Sequence, residues 1–110
     1  MIGCGPQTRI QKTYIQMDHE NAGEVIIFNS FDEVGRSYIK VAALEVTTHK
    51  PPNNTERNKM IESLNSKARK VGAEGIVIID EGRHVSRILF EGRYRDFYTF
   101  FIKGIAIVYE

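Results

Sequence analysis

One stretch of helical periodicity sits among runs of β-forming residues, and this narrows the folds open to the chain. Met60, Ile61, Leu64, Ala68 and Val71 recur at i, i+1, i+4, i+8 and i+11; at ~100° per residue they share a stripe about 100° wide. Lys59, Glu62, Asn65, Ser66, Arg69 and Lys70 fall on the other side. Asn53, three residues before Glu56, gives a helix start of capping-box form with Asn in place of Ser or Thr. Gly72 is placed to be the left-handed residue just past the end, and Arg69 and Lys70 suit the negative end of the helix dipole. A lone amphipathic helix must lay its stripe on something apolar, and the flanking residues offer a sheet.

Before the helix, residues 1–9 read as a flexible tether and residues 10–17 as a short edge strand. A polar turn at 18–23 leads into residues 24–30, a β-branched run that reads as a buried strand. Residues 31–35 form a connection broken at Gly35, and residues 36–48 a longer strand with a bulge or bend near Ala42 and Ala43. Pro51 and Pro52 end that strand, because neither can donate to a ladder.

After the helix, residues 76–80 are a continuous apolar run of the central-strand kind, and Glu81-Gly82 is expected to break it. Residues 83–90 and 93–109 flank Glu91-Gly92, a two-residue loop that fits a hairpin. Phe97, Phe101, Ile105 and Ile107 mark one face, and Gly104 is expected at a bulge. Strand, helix and strand between Arg36 and Asp80 form a crossover unit. The expected class is α+β: a mixed sheet of about four or five strands in strand-strand-helix-strand-strand order, one helix packed on one face and the other face wet. Residues 10–110 are expected to form a single domain.

Composition removes several classes of function. The 110 residues suit one domain of the usual ~100–150. With 42% hydrophobic and 26% charged residues, the chain is neither a disordered tract nor a coiled coil. A net charge of +1 argues against a polybasic nucleic-acid tail or an acidic solvating tail. A single cysteine makes no internal disulfide, and no Cys/His spacing matches a zinc site. No run of ~18 apolar residues is present to form a membrane-crossing helix.

The candidate sites are few. His19, between Asp18 and Glu20, belongs to a solvated turn rather than a metal loop, since adjacent side chains rarely converge on one ion; His49 and His84 are expected to be exposed. No metal or cofactor is expected. Asp80 and Glu81, at the carboxyl end of the central strand, would make a general base only if burial raised a carboxyl pKa. Gly72-Ala73-Glu74-Gly75 precedes a strand and so is no phosphate cradle. The stretch 83–101 interleaves four arginines with six aromatics, the composition of a single-strand nucleic-acid platform. Glu91, Asp96 and the near-neutral total favour instead a surface for another protein or a second copy, made of Arg83, Arg87, Arg93, Tyr94, Arg95 and Tyr98.

Gly3-Cys4 resembles the end of a bacterial lipobox, followed by a polar Gly5-Pro6-Gln7-Thr8. Met1 stands where Leu is usual, and no apolar segment precedes it in this sequence. The helix–strand passage from Leu64 through Val71-Gly72-Ala73-Glu74-Gly75-Ile76-Val77-Ile78 resembles the core of the YbjQ-like family and of RcsF-like envelope lipoproteins. The closing Gly104-Ile105-Ala106-Ile107-Val108-Tyr109, and the upstream Asp32-Glu33-Val34-Gly35 and Tyr38-Ile39-Lys40-Val41, match the same pattern. These residues make a fold and do no chemistry. The paired cysteines of RcsF are missing, so its disulfide-dependent signalling does not carry over.

The resemblance implies a non-enzymatic domain of the bacterial cell envelope, lipid-anchored at Cys4 and acting through protein contacts. The alternative it leaves open is a cytoplasmic, self-assembling YbjQ-like protein that binds a small molecule.

Overall fold

A computed structural model describes residues 5–51 and 53–110. Cys4 and Pro52 lie outside the described residues. The described part is α+β: a five-stranded mixed sheet with one helix packed across it. In chain order the strands are β1 (Gln7–Thr13), β2 (Ile26–Phe28), β3 (Tyr38–Thr48), β4 (Gly75–Phe90) and β5 (Arg93–Tyr109). Helix α1 (Asn54–Lys70) joins β3 to β4, and a single 3₁₀ turn covers Phe31–Val34. Three strands therefore precede the helix and two follow it.

Across the sheet the order is β1-β3-β5-β4-β2. β5 runs antiparallel to both β3 and β4, so those two strands are parallel but not neighbours. The expected crossover is thus a split one, with β5 inserted between its strands. β2 joins the far edge parallel to β4, not as a buried strand: it has three residues, and Ile26 is 49% exposed. β1 is an edge strand, as its polar composition implies, but it begins earlier than expected. Gln7, Thr8 and Arg9, assigned to the tether, pair with Thr47, Val46 and Glu45.

The helix starts as its sequence dictates. Asn53 Oδ1 accepts from Glu56 N at 2.8 Å, covering one of the orphan amides of the first turn. At the other end Gly72 takes φ +82. Gly72 N donates to Arg69 O and Ala73 N to Ala68 O, the two bonds of a Schellman motif. Met60, Leu64 and Ala68 are buried, and Ile61 and Val71 pack beside them. They rest on Ala42, Leu44 and Val46 of β3, Ile76 and Ile78 of β4, and Ile102 and Ala106 of β5.

The opposite face is not simply wet. Val34 of the 3₁₀ turn lies with Val77, Ile105 and Ile107 in a second buried cluster, flanked by Phe28, Phe31 and Tyr38.

Three bulges adjust the pairing. In β1 the extra residue is Gln11, between Ile10 and Lys12. In β3 the extra residue is Val41, one position before the alanines, and its carbonyl accepts from both Tyr14 N and Ile15 N. In β4 it is Ile79. That bulge changes the reading of Glu81-Gly82, which does not break the strand: Glu81 pairs with Ile102 and Gly82 with Phe101 within one continuous β4. Gly104 stays in register with Leu44 and Ile78 instead of bulging. A Cβ there would lie 2.6 Å from Ile76 Cγ2, so the helix-side packing, not the strand's own path, calls for glycine.

Candidate interaction surface

β4 and β5 have 16 and 17 residues, whereas their longest neighbour, β3, has 11. Strand β3 ends with Thr48 opposite Phe100, and β2 ends with Phe28 opposite Val77. Residues 84–99 therefore continue as a two-stranded ribbon that no further strand flanks, with His49 Nδ1 lying 3.5 Å from Tyr98 O at its base. From His84 to Phe90, at ~3.4 Å per residue, this arm reaches about 24 Å past the sheet. It stretches the molecule to 56 × 33 × 26 Å and its radius of gyration to 15.8 Å, against ~13 Å for a compact chain of this length. The tip is a two-residue turn with φ +51 at Glu91 and +77 at Gly92, both left-handed as the tight hairpin twist demands.

Register assigns the arm's side chains to faces, because cross-strand partners share a face. Arg83 with Phe100, Val85 with Tyr98, Arg87 with Asp96, and Leu89 with Tyr94 lie on the helix side. His84 with Thr99, Ser86 with Phe97, Ile88 with Arg95, and Phe90 with Arg93 lie on the other. Leu89 is 60% and Tyr94 70% exposed, and Val85, Ile88, Phe90 and Phe97 are about half exposed. Phe97, expected on a core face with Phe101, is 50% exposed because the sheet has no layer over it.

The arginines hold the ribbon together laterally. Arg87 Nε donates to Asp96 Oδ1 at 2.9 Å; this bond holds the Asp96 carboxyl below its ordinary value and raises the Arg87 guanidinium. Arg83 lies over Tyr98 and Arg95 over Phe90, at 5.1 and 5.5 Å from the ring centroids.

At the base of the arm, on the helix side, a pocket of about 310 Å³ is lined by Arg57, Met60, Glu81, Arg83, Phe100 and Ile102 among others. Arg57 donates from Nε and Nη2 to the two oxygens of Glu81, at 3.2 and 3.0 Å. That pair ties the first turns of α1 to β4, and its hydrogen bond raises the Arg57 guanidinium. The floor is apolar and the rim carries the Arg57–Glu81 pair and Arg83, which suits an aromatic or aliphatic side chain.

The other candidates are dispersed. Asp80 and Glu81 are both exposed, so the burial a general base required is missing; Glu81 is committed to Arg57, and the Asp80 backbone stands opposite Lys103 in the ladder beside the bulge. His84 stacks on Phe101 at 4.6 Å, His49 lies at the sheet end near Tyr98, and His19 sits in the turn beneath Gly72. Among the described residues no three His, Cys, Asp or Glu side chains converge on a point that could hold a metal. No described helix is long and apolar enough to cross a membrane.

Of the six predicted surface residues, Arg83, Arg87, Tyr94 and Tyr98 share the helix-side face, and Arg93 and Arg95 share the other. Sequence reasoning missed the aliphatic part of the surface, Val85, Ile88 and Leu89, and the pocket residues Arg57 and Met60. The signal for the first was present: no other strand is long enough to pair with residues 84–99. A scan against protein-family models, a search of curated proteins and a search of solved structures each find no match to this chain.

Proposed function

We propose that this domain is a non-enzymatic contact module whose acting element is the β4–β5 arm, held at a bacterial membrane by a lipid on Cys4. The observation that carries the contact half is the arm itself, with apolar side chains exposed on both faces and no layer of the described residues over them. Patches of that kind mark interaction sites in soluble domains. Arginine and tyrosine, the residues enriched where binding energy concentrates, interleave with them.

The anchoring half rests on Gly3-Cys4 and on the short path that follows. Pairing begins at Gln7, so three residues at ~3.6 Å would hold a lipid within about 11 Å of that end of the sheet. Gln7 is opposite Thr47, which is opposite Phe101, so this is also the end from which the arm leaves. An anchor at Cys4 would therefore be a close mount rather than a long tether.

The test is a photoreactive residue placed at Tyr94, with Glu62 on the outer face of α1 as control, in the cells that make the protein. A discrete adduct at 94 and none at 62 is the expected result; no adduct at 94 would remove the arm as a contact surface. Palmitate labelling that disappears in Cys4→Ala checks the anchor independently.

A further inference from the structure

We infer that the arm's partner is a second copy of this chain, the two arms packing antiparallel by their helix-side faces so that Leu89 and Tyr94 of each seat in the base pocket of the other. This rests on the reading of the arm as a contact surface and names what covers it.

Three observations converge on a self-partner. The first is area: the chain exposes 7381 Å², against ~6,200 Å² for a compact monomer of its mass. Shared between the arm's two faces, that surplus of ~1,200 Å² leaves ~600 Å² on the helix-side face of each copy, or ~1,200 Å² for the pair, at the lower end of specific interfaces. The second is self-complementarity. The helix-side face carries an apolar tip at one end and an apolar pocket at the other, separated by the length of the arm. A two-fold axis passing between the Val85–Tyr98 and Arg87–Asp96 layers sets each tip over the other copy's base, as an isologous contact requires.

The third is disposition. That two-fold axis runs across the strands, so β1 of both copies falls on the same side and both Cys4 residues would address one bilayer.

The test uses sedimentation equilibrium of the whole chain from 1 to 100 µM together with cysteine pairing in a Cys4→Ala background. A dimer is expected, with Leu89→Glu plus Tyr94→Glu weakening it at least ~30-fold while the far-UV spectrum and melting temperature of the body persist. Ile88→Ser and Phe97→Ser, on the opposite face, are expected to leave it intact. Chains carrying Leu89→Cys should form disulfides with chains carrying Arg83→Cys and not with themselves.

A monomer throughout the range, a tip-to-tip Leu89→Cys disulfide, or co-sedimentation of monomers with anionic vesicles would each overturn the inference. The Tyr94 adduct separates the two levels of argument. Twice the chain mass supports the self-partner; any other mass overturns it and leaves the arm as a contact surface; no adduct removes both.

Discussion

Replacing Gly72 by alanine measures how firmly the segment before β2 is docked on the end of α1. Two costs add at this position. At φ +82 an alanine must adopt the left-handed region, at about 1–2 kcal/mol. Its Cβ would also stand 2.7 Å from His19 O and 2.8 Å from Met17 Cβ. Neither atom is the far end of a flexible side chain, so the main chain at 17–19 must move. That segment is clamped: Asn21 N donates to Arg69 O, Asn21 Nδ2 to Ala73 O, and Arg69 Nε to Gly23 O, at 2.9, 3.0 and 3.1 Å. Forcing such a contact costs about 1–3 kcal/mol more. Gly35 is the control, because it has φ +68 but would place its Cβ no nearer than 3.9 Å to Glu33 O. At about 4 °C per kcal/mol for a chain of this size, Gly35→Ala should lower the melting temperature by about 4–8 °C and Gly72→Ala by about 8–20 °C. Circular dichroism at 222 nm during heating reads both. Equal losses would refute the steric half of the reasoning and show that the 17–24 segment yields freely.

Leu64→Ala removes a fully buried side chain from between α1 and the sheet and should cost about 2–5 kcal/mol in urea unfolding. Glu81→Gln cuts the Arg57 bridge, a pair exposed by nearly half on each side, and should cost less than ~1 kcal/mol; a larger loss in the same assay would mean that the pocket rim, not the ion pair, is affected. Asp96 should titrate below its ordinary 3.8 when its side-chain carboxyl is followed by NMR, returning toward that value in Arg87→Ala. Because its folded-state pKa is depressed, the pair contributes fully above the ordinary carboxylate value and is lost as pH falls through the lowered one. The pair's contribution to the arm should therefore be lost only in acid.

The helix was legible to its caps because every determinant is local: Asn53, the Met60–Leu64–Ala68 stripe and Gly72 lie within one short stretch of chain. The hairpin was legible for the same reason, Glu91-Gly92 being a turn that few other conformations accept. Order across the sheet was not. The insertion of β5 between β3 and β4 depends on which edge the last strand meets, and nothing local to 93–109 encodes that. Glu81-Gly82 looked like a stop because a glycine beside an acid usually ends a run, yet the bulge at Ile79 carries the pairing through. The composition of 83–101 implies an exposed contact surface, yet the Phe97–Phe101–Ile105–Ile107 alternation places Phe97 on a core face. Only the lengths of β3 and β2 show that this face loses its cover before Phe97.

That same shortage of neighbours gives the arm a property that concentration should reveal. A lone two-stranded ribbon is marginally stable in water, and its lateral ties here, the Arg87–Asp96 pair and two cation–π contacts, are solvent-exposed. In a monomer the amides of residues 84–90 and 93–99 should therefore exchange with solvent almost freely, while those of Val77 and Ile105, in the buried sheet, stay protected. A second copy that covers the arm couples its opening to dissociation, and linkage then adds about 2.7 kcal/mol of protection at 100 times the dissociation constant. Hydrogen exchange followed by mass spectrometry should accordingly slow about 100-fold in the arm as the protein is concentrated from below that constant to 100-fold above it, with the body peptides unchanged. Arm exchange that is slow at every concentration would mean that the ribbon is self-sufficient and needs no cover. Exchange that is fast at every concentration would mean that its cover is not another copy of this chain.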